Sequence, residues 1–144
     1  MKIVVDTNVI ISGLLKPQSH PAKILNSILF GEVRTCADSR IIDEYRNVLL
    51  RDKFSFPKED VDSLISYLEL TSILVSPPPI PFKIKDPGDM PFIEVAYYLH
   101  VPVVTGNVRH FKGLQEIKIF TPTEFLIFCR GYRENLSKQE RKPN

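Results

Sequence analysis

Three carboxylates in this chain of 144 residues stand where they could do chemistry together: Asp6, Glu44 and Asp89. Asp6 ends the β-branched run Ile3-Val4-Val5 and is followed by Thr7-Asn8. A short apolar run without alternation reads as a strand buried on both faces. Asp6 then sits at the carboxyl end of a central strand, where open α/β sheets bind ligands; the competing reading is a cap for the next helix. Glu44 falls on the edge of a helical arc formed by Ile41, Ile42, Tyr45, Val48 and Leu49, and its competing reading is a snorkelling surface residue. Asp89 heads a helix whose inward face is Phe92, Ile93, Ala96 and Leu99, and it projects onto the middle of that arc while Glu94 points away. Capping explains an Asp there, but not a carboxylate at the head of a buried stripe, since an unpaired buried carboxylate is costly. Asp86, in Lys85-Asp86-Pro87-Gly88-Asp89, also reads as a turn residue. Thr105 and Asn107, where Val103-Val104 runs into a loop, could orient a carboxylate or a metal-bound water, or only bond the loop to itself. Clustered carboxylates raise one another's pKa unless a divalent cation compensates them. An all-oxygen donor set with open positions suits Mg²⁺ or Mn²⁺ rather than Zn²⁺.

Strands and helices must alternate to bring these residues to one edge. Helical patterning covers about Asn8 to Leu15, then Pro21 to Phe30, with proline well suited to the first turn. Val33 to Cys36 reads as a second strand, and a helix follows from about Ser39 to Arg51 with Ser39 as its N-cap. Val61, Leu64, Ile65 and Leu68 recur at helical spacing after Pro57, and Ile73-Leu74-Val75 is a third strand. Pro77-Pro78-Pro79-Ile80-Pro81 cannot be helix and predicts an extended surface loop. A helix from about Gly88 to His100, a strand from Val101 to Thr105 and another near Ile117 to Phe120 complete the pattern. Thr121-Pro122-Thr123-Glu124 has the form of a capping box opening a last helix. The polar, basic end from Arg130 predicts a frayed tail, dividing the chain into a domain over 1–129 and a tail over 130–144. Alternation of this kind implies a three-layer α/β/α fold on a central parallel sheet.

Composition narrows the class. Hydrophobic residues at 43% and charged ones at 25% match soluble globular domains and exclude global disorder. Cys36 and Cys129 form no C-x-x-C pair, which excludes a Cys-rich zinc site and favours a reducing cytosol over export. Asp6 interrupts the opening apolar run too early for a signal peptide, and no stretch approaches a membrane span. A net charge of +2 is too balanced to argue nucleic-acid binding by itself.

The spaced motifs together resemble the PIN domain family. They are Val4-Val5-Asp6-Thr7-Asn8-Val9-Ile10, Glu44 within Asp43-Glu44-Tyr45-Arg46-Asn47-Val48-Leu49, Asp86-Pro87-Gly88-Asp89 with Phe92-Ile93-Glu94 and Ala96, and Val104-Thr105-Gly106-Asn107 with His110-Phe111. The likeness spans about residues 2–126 and is strongest to the toxin subunits of prokaryotic toxin–antitoxin pairs. It implies a cytoplasmic Mg²⁺- or Mn²⁺-dependent ribonuclease on a PIN-like, Rossmann-like sheet, often a homodimer held by a protein antitoxin, with no membrane association. Carried over by position, Asp6, Glu44 and Asp89 match the family's acidic core, and Thr105 a polar residue that supports it. Many members place an Asp two residues after that Thr or just before the Phe; here Asn107 and His110 occupy those places.

The leading reading is therefore hydrolysis of RNA phosphodiester bonds, with Asp6, Glu44 and Asp89 as catalytic and metal-binding residues and Thr105, Asn107, Asn8 and Asp86 supporting them. Arg109 and Lys112 are the first candidates for phosphate contacts, with Lys83, Lys85 and Arg46 behind them. The alternative is a weakly catalytic or non-catalytic PIN-like module that binds RNA or protein, favoured by the missing last acid. A nucleotide-binding Rossmann reading fails because Asp6-Thr7-Asn8 stands where a glycine-rich loop would be.

Overall fold

The computed structural model describes residues 1–111 and 113–142. Five strands, β1 (Lys2–Val5), β2 (Arg34–Ala37), β3 (Ile73–Leu74), β4 (Val103–Val104) and β5 (Ile119–Phe120), form one sheet in the order β3-β2-β1-β4-β5. Every pairing is parallel. Six α-helices accompany it: α1 (Thr7–Leu15), α2 (His20–Leu29), α3 (Ser39–Leu49), α4 (Lys58–Thr71), α5 (Met90–Leu99) and α6 (Pro122–Glu140). The arrangement is the expected α/β/α fold: α2 packs on α1 and α6, and α3 packs on α4 and α5.

Burial explains the strands. Ile3, Val4 and Val5 are fully enclosed, as are Val103 and Val104 beside them, which is why these runs show no polar alternation. The chain lays β2 and β3 on one side of β1, then crosses to place β4 and β5 on the other. The switch point lies between β1 and β4, where Val5 pairs with Val104. Asp6 and Thr105 follow directly, at the carboxyl edge where open α/β sheets place their ligands.

Three expectations need correction. The N-cap of α3 is Asp38, one residue before Ser39, because its carboxylate accepts the Ile41 N–H at 3.0 Å. Glu94 is not turned away to solvent; it is buried and paired with Arg40 at 3.0 Å, and the same guanidinium holds Asp38 at 2.5 Å. The frayed end expected from Arg130 is instead helix as far as Glu140. Good helix formers dominate that stretch, and Arg133 reaches back to Glu32 at 2.6 Å. Residues 143 and 144 of the expected tail lie outside the described residues. The Thr121–Glu124 capping box forms as the sequence indicates, and the proline run over 77–81 carries neither helix nor strand. Among the described residues, no helix is long and apolar enough to cross a membrane.

Candidate metal centre

Helix caps separate structural acids from those left free for chemistry. Ser19, Asp38, Asp86 and Thr121 each occupy an N-cap position and accept a backbone N–H with the side chain. Asp6 and Asp89 also occupy N-cap positions, before α1 and α5, and neither makes a side-chain capping bond. Both line one cleft of about 320 Å³ at the carboxyl edge of the sheet, together with Asn8, Glu44, Asp86, Asn107 and His110.

Each side chain is placed by a particular contact. Asp6 Oδ2 accepts the Thr105 hydroxyl at 2.7 Å, and Thr105 Oγ1 in turn accepts the Asn107 N–H at 3.0 Å. A hydroxyl has one proton, so taking up the Asn107 N–H directs that proton at Asp6. Asn8 ties the start of α1 to the loop after β4 by accepting the Gly106 N–H at 3.1 Å. Glu44 accepts a short hydrogen bond from the Thr7 hydroxyl. Its neighbour Tyr45, fully buried, donates to the Val5 carbonyl and so pins α3 to the strand end that carries Asp6. Asp86 accepts the Gly88 N–H at 2.8 Å, closing the short 3₁₀ turn Pro87–Asp89 that delivers Asp89.

Electrostatics mark the cluster as strained in charge. Burial raises the Asp6 carboxyl above its ordinary pKa, with the Thr105 hydrogen bond offsetting part of the rise. Burial also raises Glu44, Thr7 opposes, and the charge of Asp6 adds to the rise. Asp89 is raised by burial and then by the charges of Asp86, Asp6 and Glu44, against the opposing effect of His110. Its Oδ2 is buried and has no hydrogen-bond partner. His110 Nδ1 stands 3.7 Å from that oxygen, too far for a hydrogen bond. Asp86, Asp89 and His110 each offer a ligand atom, all within 4.8 Å of one another. Carboxylate oxygens and one imidazole around an orphaned oxygen fit a divalent cation such as Mg²⁺ or Mn²⁺.

The candidates divide accordingly. Asp6, Glu44, Asp89, Asn8, Asp86 and Asn107 face one cleft, and Thr105 touches it through Asp6. The metal-sized triad is Asp86–Asp89–His110, whereas sequence reading emphasised Asp6, Glu44 and Asp89. Arg109 is exposed and does not line the cleft, and Lys112 lies outside the described residues. Arg46 is engaged elsewhere, by Asp43 at 3.3 Å and Glu69 at 2.9 Å. Thr7 and Tyr45 were missed as positioning residues. Thr7 stands in the opening motif, but Tyr45 has the pattern of a core residue and no signal beyond it.

Relatives agree with this architecture. An uncharacterized protein of Methanocaldococcus jannaschii is 26% identical over 139 residues, covering 88% of this chain and 90% of its own. Among solved structures, VapBC2 from Rickettsia felis bound to a DNA fragment from their promoter matches with a TM-score of 0.58 at 14% identity, covering 84% of this chain and 98% of that one. VapBC-1 from nontypeable Haemophilus influenzae gives 0.59 at 18% identity, with 85% and 99% covered. FitAcB from Neisseria gonorrhoeae gives 0.56 at 20% identity, with 85% and 98% covered. At such identities the likeness establishes the fold alone. The PIN domain family model, by contrast, matches the sequence itself over residues 2–109, and the chain belongs to the PIN domain family.

Proposed function

We propose that the protein is a divalent-metal-dependent endoribonuclease, acting in the cytosol as the toxin of a toxin–antitoxin pair. The observation that carries the reading is the pair of N-cap aspartates, Asp6 and Asp89, that do not cap and instead face one cleft with Glu44. The buried, partnerless Asp89 Oδ2 supports a cation there. When bound, Mg²⁺ or Mn²⁺ supplies Lewis acidity toward phosphoryl oxygens and lowers the pKa of water.

The chain's own residues do the rest. Asp89, with Asp86 and His110, would hold the cation, and Asp6 would add its charge from the same cleft. Thr105 fixes the direction of the Asp6 carboxylate. Glu44, steadied by Thr7, orients the attacking water and holds its proton. Lys83 and Lys85, exposed on the segment that leads to Asp86, and Arg109, exposed in the 3₁₀ turn Val108–Phe111, serve as phosphate contacts. Structures named VapBC2, VapBC-1 and FitAcB share the fold, which favours a protein antitoxin as partner; a homodimeric toxin belongs to the same proposal.

Asn107 and His110, in places where many members have an acid, favour a second reading: a binding module for RNA or protein with little turnover. Incubation of an unstructured single-stranded RNA with Mn²⁺ or with EDTA decides between the two. The first reading expects Mn²⁺-dependent fragments from the wild type and none from Asp6→Ala. Intact RNA with wild type and Mn²⁺ contradicts it and favours the second.

A further inference from the structure

A cationic groove lies away from the carboxylates. A cleft of about 720 Å³ runs between α2 and α6, with Lys23, Arg130, Arg133, Lys138 and Arg141 in its lining and Glu134 as the one carboxylate there. Arg133 is paired with Glu32; among the described residues Lys23, Arg130, Lys138 and Arg141 make no ion pair. On a chain of net charge +2 this concentrates the positive excess in one groove.

The placement follows from α6. At about 100° per residue, Arg130, Arg133, Lys138 and Arg141 fall within an arc of about 140°. The exposed aromatics of the helix, Phe128 and Tyr132, lie on its opposite side. Residues 131–140 are exposed throughout, so the helix stands clear of the core and presents its cations to solvent. The upper end of the groove is closed by the hydrogen bond between His20 Nδ1 and Thr123 Oγ1, 2.7 Å. Thr123 lies just beyond β5, whose Phe120 carbonyl accepts the Thr105 N–H at 2.9 Å. The Thr123 end of the groove therefore lies at the carboxyl edge of the sheet, and its cations run from there toward the amino end, where Cys129 meets Met1 and Arg133 pairs with Glu32.

We propose that the α2/α6 groove is a second contact surface for single-stranded RNA, binding the phosphates of the segment that continues beyond the carboxylate cleft; this rests on the ribonuclease reading. From Thr123 to Arg141 the helix rises about 27 Å, enough for a handful of nucleotides. Cations spaced along one helix face suit an evenly charged polymer. The same lining holds Leu126 and the exposed Ile127, so an acidic protein segment is the competing occupant that the test separates from RNA.

The test measures binding of a fluorescent twenty-nucleotide unstructured RNA in EDTA, so that cleavage plays no part. Wild type is compared with Lys23→Gln/Arg130→Gln/Lys138→Gln/Arg141→Gln over a series of KCl concentrations. Losing four phosphate contacts lowers the slope of log affinity against log salt by about 3 and the affinity at least tenfold at low salt. A dinucleotide, too short to follow the groove, binds both proteins alike. Arg130→Lys/Arg141→Lys keeps the affinity, which separates charge from folding damage. An unchanged slope and affinity in the quadruple variant overturns the proposal. So does displacement of the RNA by a polyglutamate peptide at equal charge, which assigns the groove to an acidic protein. Groove-dependent binding without Mn²⁺-dependent cleavage leaves the surface standing and refutes only the catalytic reading.

Discussion

Replacing Asp89 with Asn should stabilise the metal-free protein. The Asp89 Oδ2 has no hydrogen-bond partner, and its side chain is only 15% exposed. Asp86, Asp6 and Glu44 add repulsion. The opposing His110 ring is 51% exposed, so water screens whatever it contributes. Leaving a buried polar group unsatisfied costs about 1–3 kcal/mol. Asn keeps the shape, removes the charge and offers an N–H to the neighbouring carboxylates, and the residual exposure places the gain at about 1–2 kcal/mol near neutral pH. For a domain of this size that is about 3–6 °C in Tm. Because the folded-state pKa of Asp89 is raised, the wild type is most penalised at neutral pH. It regains stability as pH falls through the folded value, and the difference from the variant disappears below the unfolded value of about 3.9. Excess Mn²⁺ reverses the order, since an ion at a hundredfold excess over its Kd adds about 2.7 kcal/mol to the wild type. Thermal melts in EDTA across this pH range, then with Mn²⁺, provide the assay. A variant that melts below the wild type in EDTA at neutral pH would refute the reasoning and make Asp89 a structural residue.

Further substitutions test other parts of the account. Arg40→Ala leaves the buried carboxylates of Asp38 and Glu94 without their shared cation; because Arg40 is itself 46% exposed, the loss should be about 2 kcal/mol by denaturant titration, less than for a fully buried pair. Asn107→Asp restores a carboxylate to the cleft, so calorimetry should find tighter Mn²⁺ binding and melts a lower metal-free Tm. Tyr45→Phe removes the hydroxyl that pins α3 to Val5 and should cost about 1 kcal/mol; RNA cleavage should fall further than that loss of stability explains, because Glu44 rides on the same turn.

What the sequence reveals is what local patterning encodes. Ile3-Val4-Val5 announces a central strand because both of its faces are buried, and Thr121-Pro122-Thr123-Glu124 announces a helix start because every participant lies within four residues. The acids of the cleft are legible for the same reason, each tied to an element end or a helical face. Partners brought together by folding are not. Thr7 meets Glu44 across 37 positions, Arg40 meets Glu94 across 54, and Thr105 meets Asp6 across 99. On a helical wheel Glu94 lies off the inward arc, and only the approach of α3 with Arg40 buries it. Asp38 and Ser39 are equally good caps by type, so the choice between them depended on which could also reach Arg40. The length of α6 is illegible too, since a polar basic stretch frays or holds as helix according to contacts such as Arg133 with Glu32, which lie 101 positions apart.

The central claim is that the cleft holds a divalent cation against Asp89, and an anomalous-scattering map of crystals soaked in Mn²⁺ tests it most directly. The account expects a strong peak within about 2.0–2.3 Å of Asp89 Oδ2, with further ligands among Asp6, Asp86 and His110, and its loss in Asp89→Asn. A featureless cleft at saturating Mn²⁺, or an Asp89 Oδ2 that hydrogen-bonds to protein instead, would contradict it.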